Sequence, residues 1–541
     1  MNTFFRFFYI SLTIIILTSC ARTGRPEGGP RDETPPLFVI ANPPYETIEF
    51  KGKEIKLTFN EFIKLKDINK QLIVSPPLKN PLLITPQGAA TKKLSLKILD
   101  TLRENTTYII NFGNAVEDNN EGNTLEAFKY VFSTGSYIDS LTTTGTVKDA
   151  FTTEDLKSTN VLLYKIDTAY TDSIIYKKKP NYVTNTLDTT NFIFTNLRKG
   201  KYLMVALKEK SSDYIFDPKT DKIGFYSDTI TLPKDSIIDK PIMVFKEISQ
   251  YKFKRAKEVS KGKIVFGYEG EPKNFSVKLT SNTPNNFKSI SKFETKTDTL
   301  NYWFTPFEAD SLNFIISNDN FLDTVTVKLR KKKIDSLLLQ STISRTLNFR
   351  DTLFIMSNNP MVEVDTTKIT LITKDSIPVP YKKIDSDKEN KTAFIFKKKP
   401  EQTYKMTILP AAFTDIYAQQ NDTLQLGFNT KEIEDYGRIT FTINNKTNKN
   451  LIIDLLSGKN KEELIERNIV TKSSKNLVFD MLEPKTYFVR AIIDTNKNGR
   501  WDTGNFLEKK QPETIIYFEG KLELRANYYL DGNVFTVNLS E

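Results

Sequence analysis

Along most of this chain hydrophobic and polar residues alternate in short runs. Glu54-Ile55-Lys56-Leu57-Thr58-Phe59 and Leu94-Ser95-Leu96-Lys97-Ile98 alternate residue by residue, the period of a strand with one face buried. Thr107-Tyr108-Ile109-Ile110-Asn111-Phe112 and the run from Phe128 to Phe132 add two more strands. Pro76-Pro77, Pro81, Pro86 and Asn119-Asn120-Glu121-Gly122 punctuate them. Short strands at this spacing predict a β-sandwich over residues 37–137. Lys263-Ile264-Val265-Phe266, Tyr302-Trp303-Phe304 and Phe314-Ile315-Ile316 predict another over 246–340.

Two internal repeats extend the pattern. Thr107-Tyr108, Ala115, Asp118, Asn123-Thr124 and Phe132-Ser133-Thr134 have counterparts in Thr403-Tyr404, Ala411, Asp415, Asp422-Thr423 and Phe428-Asn429-Thr430. A second copy of the first module is therefore expected over 341–432, its ladder including Thr392-Ala393-Phe394-Ile395-Phe396. Phe194, Leu197, Gly200, Tyr202 and Ala206 are matched at identical spacing by Phe479, Leu482, Lys485, Tyr487 and Ala491. These two segments resemble the closing strands of transthyretin-like or Cna-B-like modules, which implies sandwiches over 138–245 and 433–541. The expected fold is all-β, with tandem Ig-like and transthyretin/Cna-B-like β-sandwich modules. Five in series would make a rod or arc of about 150 Å if extended.

Composition narrows the chemistry. A chain of 541 residues is too long for one core, and 39% hydrophobic with 12% aromatic residues is ample for folded domains. Histidine is absent and cysteine occurs once. That removes Ser-His-Asp and Cys-His catalysis, the usual zinc sites and disulfides. The net charge of +11 is modest for this length. Its densest basic runs are Lys177-Lys178-Lys179, Arg330 to Lys333 and Lys397-Lys398-Lys399. Each reads either as attraction to an anionic lipid or polymer or as solvated strand-edge protection. Their scatter argues against nucleic acid.

The amino end supplies an address. Arg6 precedes an apolar run from Phe7 to Leu17 that stops at Ser19-Cys20, a signal peptide over 1–19 too short to span a membrane. Leu17-Thr18-Ser19-Cys20 resembles the lipobox of bacterial lipoproteins, which implies cleavage before Cys20 and lipidation of its sulfur. Residues 20–36 form a tether rich in Gly, Pro and charge. Within it, Gly28-Gly29-Pro30-Arg31-Asp32-Glu33-Thr34-Pro35-Pro36 resembles the start of a family of Bacteroidetes outer-membrane lipoproteins with S-layer-type bacterial Ig-like domains. The resemblance implies a lipid-anchored outer-membrane protein, with the cell surface favoured over the periplasmic face.

One loop carries candidate chemistry. Asp494, Asn496, Asn498 and Asp502 offer oxygen at positions 1, 3, 5 and 9 of a calcium-loop pattern, Gly499 stands at 6, and the Arg500 carbonyl at 7. Position 12 is Asn505 rather than Glu, and the loop follows a strand. Ca2+ binding and an Asx-turn that satisfies itself both remain open. A sister loop carries Asp213, Asp217 and Asp221 without the glycine. Trp303 and Trp501 read as packing residues or as platforms for sugar rings. The expected function is that of a non-catalytic β scaffold for protein–protein interaction in the cell envelope, in the company of outer-membrane barrel or export machinery. The alternative is a surface glycan-binding lipoprotein.

Overall fold

The computed structural model describes residues 32–294, 297–319 and 321–539. Cys20 and the signal segment lie outside the described residues. Among the described residues, strand pairing closes within five successive segments, and no sheet is shared between them.

In the first segment, Glu54–Leu65 lies between Phe38–Asn42 and Thr91–Lys97, while Thr107–Gly113 lies between Ile73–Ser75 and Phe128–Ser133 in a facing sheet. Ile55, Leu57 and Phe59 point inward from the first sheet and Tyr108, Ile110 and Phe112 from the second, so alternation becomes one buried layer. The fourth segment repeats this pattern. Tyr108 is paired with Phe132 and stacks on it at 5.4 Å, and Tyr404 does the same with Phe428 at 5.5 Å. The Tyr108 hydroxyl accepts the Arg103 N–H at 2.8 Å, and the Tyr404 hydroxyl accepts the Lys399 N–H at 2.8 Å. Thr134 and Thr430 close the same corner, accepting the N–H of Thr106 and Gln402 at 3.0 and 3.1 Å. Asp118 and Asp415 each brace the turn that follows them by accepting backbone N–H groups.

The second and fifth segments share another plan. In each, the first strand (Leu141–Asp149 or Gly437–Asn445) pairs antiparallel on one side and parallel with the last strand on the other. The facing sheets are built on Gly200–Lys208 and Thr486–Asp494. The Tyr202 hydroxyl donates to the Arg198 carbonyl and the Tyr487 hydroxyl to the Glu483 carbonyl, both at 2.8 Å. Asn196 and Met481, one before the shared leucines, both adopt left-handed backbone, with φ of 55° and 51°. The third segment is a sandwich of four strands on three, with Phe266, Tyr302, Phe304 and Phe314 at its centre.

The modules do not string out. The fifth folds back so that its Phe506 enters the core of the second, and Arg500 reaches Glu271 of the third at 2.5 Å. The third and fourth join through the Tyr417 hydroxyl on the Gly262 carbonyl at 2.9 Å, and the fourth and fifth through Tyr436 on Asn348 at 3.1 Å. Modules two to five therefore close a ring, where the sequence predicted a rod or arc. The first module sits outside the ring, its Ser75 hydroxyl accepting the Val183 N–H at 3.1 Å and its Ile73 entering the same second-module core.

Candidate functional site

The loop between Thr486–Asp494 and Ile515–Tyr517 closes the ring, and it is the loop that the sequence marks for calcium. Its first half is a set of Asx turns. The buried Asp494 carboxylate accepts the N–H groups of Asn498 and Gly499 at 3.1 and 3.0 Å. Asn498 Oδ1 accepts the Arg500 N–H at 2.9 Å. Gly499 turns the chain at a φ of 75°, a conformation other residues adopt only with strain. Asn496 and Asn498 both donate side-chain amide protons to Asp502 Oδ2. The structure thus gathers Asp494, Asn496, Asn498 and Asp502 into one loop with their polar groups turned on one another. Seating a cation would require the Asn496 and Asn498 amides to present oxygen instead. Among the described residues no group of three or more acidic, histidine or cysteine side chains is placed to hold a metal ion.

Glu513 anchors the far side of the loop. Its carboxylate, buried at 6% exposure, accepts the Thr495 N–H at 2.7 Å and the Asp502 N–H at 3.1 Å. Asn505 and Lys510 exchange backbone hydrogen bonds at 2.8 and 2.9 Å, making a small hairpin that holds out Phe506. That ring meets Phe225 edge-on at 5.4 Å and is fully buried. Gly504 allows the approach, because a Cβ there would fall 2.5 Å from the Phe245 ring and 2.7 Å from the Lys510 carbonyl oxygen. Around Phe506 the contacts are polar and directional. Glu247 Oε1 accepts the Phe506 N–H at 2.6 Å, Lys509 pairs with Asp172 at 2.6 Å, and Gln511 donates to the Phe225 carbonyl at 2.9 Å. Burial raises the Glu247 carboxyl above the ordinary glutamate value, whereas the Lys509 hydrogen bond holds Asp172 below its own.

A second contact patch lies beside the hairpin. Asp454, fully buried, receives Arg467 at 2.7 Å and Arg490 at 2.9 Å. The Arg490 guanidinium also lies 4.4 Å from the Phe151 ring of the second module. Trp501 packs on the other part of Phe151 at 4.8 Å and donates its indole N–H to the Glu513 carbonyl. Trp303 is buried in the third module with Lys263 over its ring. Both tryptophans are thus packing residues. The sister loop is also turned inward, Asp221 accepting the Asp217 N–H at 2.9 Å and the Thr220 hydroxyl at 2.7 Å.

Beneath the closure loop, where the second-to-third linker, the third module and the fifth meet, is a cleft of about 520 Å³. Asn496, Asn498, Arg500 and Asp502 line one wall, and Gln250, Tyr251, Glu271, Lys273, Asn318 and Asp319 the other. The Tyr251 hydroxyl is buried and has no hydrogen-bond partner among the described residues, while its ring packs against Tyr268, Phe275 and Phe321. Sequence reading missed Phe506, Glu247 and Glu513. The available signal was Phe506-Leu507, with Trp501 shortly before, an apolar group standing in a loop rich in charge, Asn and Gly.

Residues 32–134 match a family model described as the bacterial Ig-like domain. Residues 32–134 are therefore such a domain, and further β-sandwiches follow it. No curated protein matches the chain. Among solved structures, it is similar to a titin fragment at 12% identity, covering 46% of this chain and 93% of that one at a TM-score of 0.14. An S-layer protein, rSbsC, aligns at 11% identity over 91% of this chain and 68% of that one, with a TM-score of 0.15. The major pilin subunit of Bacillus cereus aligns at 8% identity over 74% and 99%, with a TM-score of 0.14. At such scores no arrangement of modules carries over, and the all-β assignment rests on the strand pairing itself.

Proposed function

We propose that this chain is a non-catalytic lipoprotein, held at the outer membrane through Cys20, that presents a ring of β-sandwiches to other envelope proteins. The observation that carries the reading is where the loops go. The asparagine-rich loop flagged for chemistry is used in joining modules, Arg500 reaching Glu271 and Phe506 the second module, with Arg490 of the preceding strand on Phe151 beside it. What is left for partners is strand edges and the outer surfaces of rigid sandwiches. Outer-membrane barrel or export machinery is the partner class we favour, on the cell surface before the periplasmic face. Metabolic labelling with a radioactive fatty acid should mark the full-length protein and leave Cys20→Ser unlabelled. Label in both, or in neither, overturns the anchor. Affinity purification of the labelled protein from solubilised envelopes should then retain barrel proteins that the Cys20→Ser form loses.

The cleft supports a second reading, a glycan site. Its asparagine and glutamine amides and its carboxylates are groups that pair with sugar hydroxyls. Titration with soluble hexasaccharides, comparing the parent with Gln250→Ala and Asn318→Ala, separates the two: saturable binding weakened by both variants favours glycan capture over the scaffold.

A further inference from the structure

The third module has an open seam with an unusual charge. Its two sheets end on Lys252–Ser260 and Phe321–Lys328, each paired on one side alone among the described residues. Between these edges runs a groove of about 550 Å³, lined by residues 256–259 and 326–328 together with Arg330 and Lys332. Four of the lining residues are cations, Lys257, Lys328, Arg330 and Lys332, against one carboxylate, Glu258. Lys257, Lys328 and Arg330 are exposed, and their side chains make no ion pair or hydrogen bond with other described residues.

We propose that this groove is a docking site for an acidic segment of a partner protein, bound in extended conformation along the strand edges. The proposal deepens the scaffold reading and rests on it. The molecule already shows both halves of the recognition within itself. Lys332 donates to the carbonyls of Glu258 and Val259 at 2.8 and 2.9 Å, so that edge is within reach of a hydrogen-bonding partner. The buried Glu258 carboxylate accepts the Arg330 N–H at 2.8 Å, so a carboxylate sits there among cations and takes a main-chain proton. An incoming strand with acidic side chains would repeat these contacts. Lysines on an exposed edge repel casual pairing by neutral or basic strands. The same charges select an acidic one, and strand addition supplies the main-chain bonds.

The test uses the soluble protein from residue 21 onward and a fluorescent peptide of about eight residues alternating Glu and Val, matched in length to the edge strand. The peptide should bind saturably and weaken as salt rises, because exposed charges are screened. Lys328→Glu with Arg330→Glu, on two exposed side chains, should cost at least about tenfold in Kd, as Coulomb attraction becomes repulsion. Alternate N-methylation of the peptide should abolish binding by removing main-chain donors. Equal binding of a Gln-Val peptide, indifference to N-methylation, or binding of heparin in place of the acidic peptide overturns the proposal. Because no lipid is involved, a negative result leaves the fatty-acid labelling of Cys20 unaffected, so the two failures are distinguishable.

Discussion

At the scale of the residue, the tyrosine corners and Asp454 carry the sharpest consequences. Tyr108→Phe leaves the Arg103 N–H without its acceptor, and Tyr404→Phe does the same to Lys399. Each should lower the stability of its own module by about 0.5–1.5 kcal/mol, the net worth of one hydrogen bond, and by similar amounts because the corners are copies. Calorimetry of the soluble protein reads this as a shift in one transition, and unequal shifts would break the equivalence of the two modules. Asp454→Asn should cost more, about 3–5 kcal/mol, since Arg490 would stay buried at 6% exposure with its charge uncompensated. These corners were legible in the sequence for a physical reason. Tyr108 and Phe132, like Tyr404 and Phe428, are held at fixed spacing by one hairpin register, so both copies keep the same pattern. Asp454 was not legible, because an acid in a run of Leu and Ile gives no sign of which cation will face it.

At the scale of the element, the hairpin around Phe506 behaves as a fastener. Phe506→Ala should remove most of its holding energy, about 3–5 kcal/mol for a buried phenylalanine, without touching the apolar cluster between the two sheets of either module. Protection of the 505–510 amides against hydrogen exchange should fall while the strands of both modules stay protected. Protonation works in two directions here. Glu247 has its carboxyl raised by burial, so its contribution is fullest below the ordinary glutamate value and is lost as pH rises through the raised one. Asp172 is lowered by Lys509, so its smaller, partly exposed contribution is lost only as pH falls through that lowered value. Glu508 and Lys246 are the other charges acting on Glu247. The fastening should therefore tighten from neutrality down to about pH 4–5 and loosen in stronger acid. Glu247→Gln should flatten the tightening limb, and persistence of that limb in the variant would assign it to another group. None of this was readable beforehand. Phe506 lies far along the chain from Phe225 and Phe245, and periodicity reports only which face of a strand is buried, never which distant loop will cover it.

At the scale of the whole molecule, ring closure sets the dimensions. Small-angle scattering from the soluble protein should give a compact profile, and Phe506→Glu, which places a charge in an apolar pocket, should lengthen it. Identical profiles would mean that the Arg490–Phe151 and Arg500–Glu271 contacts suffice to keep the ring shut. That the chain is a series of β-sandwiches could be read from alternation and repeats, because each sandwich is a local solution to burying its own strands. Their circular order could not, since it depends on a few contacts between surfaces that are otherwise polar.

The Phe506 fastening also decides how the protein bears a pull. Tension applied between the amino end and the carboxyl-terminal strand Tyr529–Val537 enters at the second module and can pass straight into the fifth across that contact. The third and fourth modules are then mechanically bypassed, slack held in reserve. An optical trap should record a first, low-force rupture that releases the length of two folded modules with no domain yet unfolded, so a tethered molecule could lengthen abruptly under load and shorten again when it is relieved.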